Sequence, residues 1–151
     1  MHTVAILVLD GVVAFDLSTP IEVFGRTYLP GGQAAYQVQI CAPTDEIDAG
    51  VFTLRVPWRL DRLTEADTII LPGLTDPTVP IPHEVLVALQ SAAVRGARIA
   101  SLCSGAFILA ATDCWIVCVQ PPTGRPPVSW HNDTPMWRSM PMCSSSIMGS
   151  F

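Results

Sequence analysis

A cysteine stands where an apolar run gives way to small residues, in Ile99-Ala-Ser-Leu-Cys-Ser-Gly-Ala-Phe-Ile-Leu-Ala110. The pattern predicts a core strand that runs into Cys103 and a helix that opens just beyond it. A turn this tight needs small neighbours, and Ser104 and Gly105 supply them. A thiol so placed meets the unsatisfied N–H groups and positive dipole end of the helix, which favour thiolate over thiol. The competing reading is an inert buried core cysteine, and spacing alone does not separate the two.

Two more segments bear on the same chemistry. Asp16 follows the first apolar run in Val4-Ala-Ile-Leu-Val-Leu-Asp-Gly-Val-Val-Ala-Phe-Asp16 and precedes the first expected helix. In a parallel sheet that places it at the carboxyl ends of the strands, where ligands bind and where Cys103 also arrives. A carboxyl beside a thiol can move a proton or steer a substrate. The plainer alternative is a loop carboxylate favoured by the helix dipole. Leu71-Pro-Gly-Leu74 also follows a strand, and the N–H groups of Gly73 and Leu74 are candidate oxyanion donors opposite Cys103, with Ser104 beside them. Pro-Gly marks many turns, so this segment is a weak signal by itself.

Other reactive side chains carry less. Cys114 and Cys118 are four apart and Cys143 lies further on, but the spacing, even with His131, does not build a four-ligand metal site. No metal or cofactor is expected. Trp130 and Trp137 flank no basic run, which leaves little support for stacking on nucleic acid. His83 reads as a helix-start residue, His2 as a disordered terminal one, and Cys41 as core on the second strand.

The elements that must position these residues alternate in type. Thr3–Leu9 reads as a buried parallel strand ended by Asp10-Gly11. Thr19-x-x-Glu22 has capping-box spacing with Pro20 at the first helical position, predicting a helix from about Pro20 to Tyr28. Tyr36–Ala42 alternates as a second strand, Val51–Val56 suits a hairpin or edge strand, and Thr68–Leu71 is a short core strand. A helix is expected from Pro82 or His83 to Arg95, with Leu86, Leu89 and Ala93 on one face and Gly96 as its stop. Arg98–Leu102 reads as another core strand and Gly105–Ala111 as helix. Strands alternating with helices imply a mainly parallel sheet with right-handed crossovers, an α/β class.

Composition bounds the function. The chain of 151 residues is half apolar and 14% charged, long enough for one domain with a real core. A net charge of −5 with no basic cluster argues against direct nucleic-acid binding and against anionic membranes. No segment has transmembrane length, and the run Val4 to Leu9 lacks the length and basic flank of a signal peptide. A cytoplasmic location is expected, and with it free thiols rather than disulfides.

The sequence changes character near residue 112. Every Leu and every Ala lies in 1–112, whereas 113–151 has neither, and no Glu. It is rich in Pro, Ser, Met and Trp, and its one apolar run of element length is Trp115–Val119; Pro121, Pro122, Pro126 and Pro127 then forbid regular structure. One reading is a Pro-rich surface tail. The other is a reading-frame slip: G+C-rich codons chosen from Asp113 onward allow a neighbouring frame reading Leu-Leu-Asp-Arg-Leu-Arg-Pro-Thr-Thr-His-Trp. On either reading 1–112 is the α/β domain, and its sheet is expected to be incomplete at the C-terminal side.

Taken together, Val4–Phe24 and Ile99–Ala111 resemble the ThiJ/PfpI superfamily, related to class I glutamine amidotransferases. The resemblance is strongest to the N-terminal domain of GlxA-like regulators of the AraC family, whose Phe-Asp-Leu-x-x-Pro-x-Glu-Val-Phe pattern is matched by Phe15–Phe24. It covers residues 3–112. It implies a flavodoxin-like three-layer sandwich, often dimeric, with Cys103 as the elbow cysteine and Asp16 as its acidic partner. Isocyanide hydratases of the superfamily share the Asp-Leu-x-x-Pro start and the elbow cysteine. Two departures stand out. The Thr-Thr-His-Trp-like segment usual after the elbow helix is present only in the shifted frame, and His131 in Ser-Trp-His-Asn matches nothing in the family. The helix-turn-helix domain of such regulators has no counterpart in the sequence either.

Three functional expectations follow. The first is a ligand-sensing and dimerisation domain of an AraC-type regulator, truncated before its helix-turn-helix, which binds a small molecule near Cys103 as a homodimer. The second is a small cysteine-dependent hydrolase or hydratase, with Cys103 as nucleophile, Asp16 as proton carrier, and Gly73 and Leu74 as oxyanion donors. The third is a truncated product without function.

Overall fold

In the computed structural model the chain divides into two units, Met1–Trp115 and Ile116–Phe151. The residues described, 1–112, belong to the first. The apolar run Trp115–Val119, the prolines after it, Cys114, Cys118, Cys143, His131, Trp130 and Trp137 lie outside the described residues.

The first unit runs β1 (His2–Leu7), α1 (Ala14–Gly25), β2 (Tyr36–Cys41), β3 (Glu46–Asp48), β4 (Thr53–Arg55), α2 (Asp61–Glu65), β5 (Thr68–Leu71), α3 (His83–Arg95), β6 (Arg98–Ser101) and α4 (Gly105–Ala111). Four strands form one sheet in the order β2-β1-β5-β6, with every neighbour parallel. The antiparallel pair β3 and β4 forms a separate hairpin.

Strand β1 explains the layering. It has neighbours on both sides, and its side chains alternate between two cores. Ala5, Leu7 and Leu9 join Leu63 of α2, Val85, Ala88, Leu89 and Ala92 of α3, and Ile108 of α4. Val4, Ile6 and Val8 join Leu17 of α1 and Ile47 of the hairpin. The run therefore has no polar alternation, because both faces are covered. The result is a flavodoxin-like three-layer α/β sandwich with a mainly parallel sheet.

The structure departs from the sequence reading in several places. Helix α1 starts at Ala14 and ends at Gly25, with Pro20 inside it. Thr19 is not a cap: its hydroxyl donates to the Phe15 carbonyl one turn back, at 2.8 Å. Ser18 donates to the same oxygen at 3.1 Å. Tyr28 falls outside the helix, in a bridge with Ala34. The burial of Leu17 and Pro20 sets the helix against the sheet, and this packing outweighs the capping motif.

On α3 the buried face is Val85, Ala88, Leu89 and Ala92, with Leu86 and Ala93 only partly covered. That face joins the core that α3 shares with Leu63 of α2 and with Ile69 and Leu71 of β5. Gly96 does close the helix, at φ 96°.

Strand β6 is not a core strand among the described residues. Among those residues it lies at the edge of the sheet, and Arg98 and Ala100 are exposed.

His2 is ordered rather than terminal. Its Nε2 lies 2.9 Å from Thr68 Oγ1 and 3.3 Å from Arg98 Nη2, and its ring packs edge-on to Tyr36. A parallel strand that begins at residue 2 leaves no free end for it to occupy.

Candidate functional site

Two loops and one elbow meet at the carboxyl edge of the sheet. The loop after β1 and the turn after β5 pair with each other. Val13 N–H donates to Gly73 O at 2.8 Å, and Thr75 N–H donates to Gly11 O at 2.8 Å. Gly11 enters this pairing at φ 75°, a conformation that favours glycine. Val13 then serves as the N-cap of α1, which puts Asp16 in the first turn of that helix rather than before it.

The elbow is built on β6. Leu102 N–H extends the ladder to Leu71 O at 2.9 Å, and Gly105 N–H closes back on Leu102 O at 2.8 Å. Between them Cys103 sits at φ 49°, the one non-glycine with positive φ among the described residues. For a side-chain-bearing residue that conformation costs about 1–2 kcal/mol. Gly105 makes the tight approach possible, because a Cβ there would land on the Leu71 carbonyl. Cys103 is exposed, so the buried-core reading does not apply to it; among the described residues Cys41 is the buried cysteine. Burial pushes the Cys41 thiol up from 9.0 to about 12, with Asp61 adding to the rise and Arg62 opposing it.

Gly73 marks the point where the pieces converge. A Cβ on Gly73 would lie 2.5 Å from Asp16 Oδ2, 2.9 Å from Ser104 Oγ and 3.1 Å from Cys103 Cβ. The structure thus brings together Asp16, Gly73, Cys103 and Ser104 from three separate stretches of chain. Leu74 joins them through its backbone. Gly73 N–H donates to Asp16 Oδ2 at 3.2 Å, and Leu74 N–H donates to Ser104 Oγ at 2.9 Å. Both N–H groups read as oxyanion donors are therefore occupied by the protein's own side chains. An oxyanion would have to displace Asp16 or Ser104 to reach them.

No histidine reaches the site through a hydrogen bond among the described residues. His2 is held by Thr68 and Arg98, and His83 opens α3. Among the described residues no three His, Cys, Asp or Glu side chains are grouped to hold a metal, and no helix is long and apolar enough to cross a membrane. Sequence reasoning passed over two aromatic side chains. Phe15, beside Asp16, is 76% exposed, and Phe107, four residues after Cys103, is 49% exposed. In sequence both look like core residues, and only their exposure shows that they offer apolar surface close to the site residues along the chain.

No protein-family model matches the chain. Over 113 residues it is 34% identical to the uncharacterized protein in the cpoL 5′ region of Streptomyces lividans, a match that takes in 73% of this chain and 79% of that one. Among solved structures, a two-domain protein of Anabaena variabilis with DJ-1/ThiJ/PfpI-like and ferritin-like domains superposes with a TM-score of 0.61 at 18% identity. That likeness covers 76% of this chain but only 33% of the Anabaena protein. An AraC family transcriptional regulator from Pseudomonas putida superposes with the same TM-score, 0.61, also at 18% identity, over 74% of this chain and 70% of that one.

Proposed function

We propose that this domain, which shares the fold of DJ-1/ThiJ/PfpI-like proteins, belongs to that superfamily and is the ligand-sensing and dimerisation part of an AraC-type transcriptional regulator, with its small-molecule site at Cys103. The likeness to the Pseudomonas putida regulator supports the class. The carrying observation is the exposed Cys103, held at φ 49° with Asp16 Oδ2 and Ser104 Oγ gathered on Gly73. A thiol presented in this way can take a small ligand from solvent. Binding there would bias a dimer through differential affinity for its two states.

Capture is favoured over turnover by the donors around the thiol. Acyl-transfer chemistry needs N–H groups aimed at a developing oxyanion. Here those of Gly73 and Leu74 already serve Asp16 and Ser104. The second reading, a cysteine-dependent hydrolase or hydratase, draws on the same exposed thiol and its neighbouring carboxylate.

Incubation with p-nitrophenyl acetate separates the two. Sensing predicts at most one equivalent of nitrophenolate per chain from Cys103, and continued release beyond that rejects it in favour of a hydrolase. The nucleotide sequence after codon 112 tests the regulator class. A neighbouring frame that continues into a helix-turn-helix supports it; one that closes soon after a Thr-Thr-His segment favours the enzyme.

A further inference from the structure

We infer that Ser104 is a positioning residue: its hydroxyl pins the Pro72-Gly73-Leu74 turn, and with it the Asp16 carboxylate, against the Cys103 elbow. This deepens the proposed function and rests on its claim that Cys103 is the working thiol.

The turn has two sides. On one, Gly73 and Thr75 pair with Val13 and Gly11 of the loop after β1. Leu74 lies between them and turns its own N–H and carbonyl the other way. There, among the described residues, it hydrogen-bonds to no other backbone group. Ser104 Oγ accepts the Leu74 N–H at 2.9 Å and donates to the Leu74 carbonyl at 2.8 Å, so one hydroxyl satisfies both groups. Leu74 is only 7% exposed, and water cannot readily replace that partner. Gly73, held from both sides, then presents its N–H to Asp16 Oδ2. Cys103 Sγ makes no hydrogen bond among the described residues, so the side chain linking the elbow to the turn is its neighbour's. Alanine at 104 would leave two buried backbone groups unpaired and release the turn that orders Asp16.

The test uses the full chain, iodoacetamide as probe with peptide mapping at Cys103, and amide exchange across the Pro72–Thr75 turn. In Ser104→Ala, Leu74 exchange should accelerate about tenfold, and alkylation should slow about tenfold near neutral pH with an altered pH profile. Ser104→Thr keeps the hydroxyl and should restore both. Unchanged exchange and profile in Ser104→Ala overturn the inference. If that variant does not fold cooperatively, Ser104→Thr decides: the wild-type profile upholds the inference and a free-thiol profile rejects it. If wild-type Cys103 alkylates no faster than a free thiol, the proposed function fails instead. Amide exchange then decides the pinning alone: Leu74 protection lost in Ser104→Ala and kept in Ser104→Thr upholds it, and protection kept in both rejects it.

Discussion

The Gly73 N–H donates to Asp16 Oδ2 at 3.2 Å, tying the turn after β5 to the first turn of α1. The contact works only because residue 73 has no side chain. The space its Cβ would need is already held by the Asp16 carboxylate, the Ser104 hydroxyl and Cys103 Cβ.

Gly73→Ala should therefore destabilise the domain by about 1–3 kcal/mol, through overpacking against groups that cannot all retreat. Gly25→Ala is the control. It adds a Cβ that meets nothing within 4 Å, at the end of α1, and should be neutral or stabilise by up to about 1 kcal/mol. Urea unfolding of both variants reads the sign. Equal effects would show that the site is not as crowded as its geometry requires.

The backbone at Cys103 stores strain that glycine would not feel. Cys103→Gly should be more stable than Cys103→Ala by about 1 kcal/mol, since alanine keeps the penalty of φ 49° and glycine removes it. The difference in thermal midpoint between the two variants measures this. An alanine variant as stable as the glycine one would mean that the elbow relaxes once the thiol is gone.

Cys41 gives the domain an alkaline weakness. The folded thiol holds its proton up to about pH 12, whereas the unfolded one loses it near 9.0. Above that lower value the unfolded chain binds fewer protons than the folded one, so stability falls as pH rises between the two. Cys41→Val should flatten that part of the curve. Parallel urea midpoints for wild type and variant across this range would contradict the assignment.

Asp67 acts at the opposite end of the scale. Its carboxyl is held below the ordinary 3.8, first by the Thr3 N–H it accepts and then by His2, Arg95 and the N-terminus. A depressed carboxyl contributes stability above its unfolded value and loses it as pH falls through the folded one. Wild type should therefore lose stability more steeply than Asp67→Asn on acidification below pH 3.8. Urea midpoints taken through that acid range provide the comparison.

Local signals marked most elements correctly where packing agreed with them. Thr68–Leu71 is β5 as read, and the helix from His83 to the Gly96 stop is α3. They failed where packing overruled them. The capping-box spacing at Thr19 is genuine, but Leu17 and Pro20 bury against the sheet, so α1 begins five residues earlier than the motif. Strand β3 was not legible because three residues, Glu46–Asp48, with one buried position carry no period.

From the sequence alone came the class of the molecule and the place of Cys103 at a strand-to-helix elbow. An apolar run broken at Cys103 by Ser104 and Gly105 can only turn sharply, and chain chemistry dictates that without reference to distant residues. Whether that thiol would be buried or presented was beyond it, as was the use made of the Gly73 and Leu74 N–H groups. Those outcomes depend on segments 30 and 57 residues apart arriving at one point, Leu74 at Ser104 and Gly73 at Asp16. Long-range packing of β1, β5 and β6 side by side decides such meetings. It turned two free-looking oxyanion donors into the partners of Asp16 and Ser104.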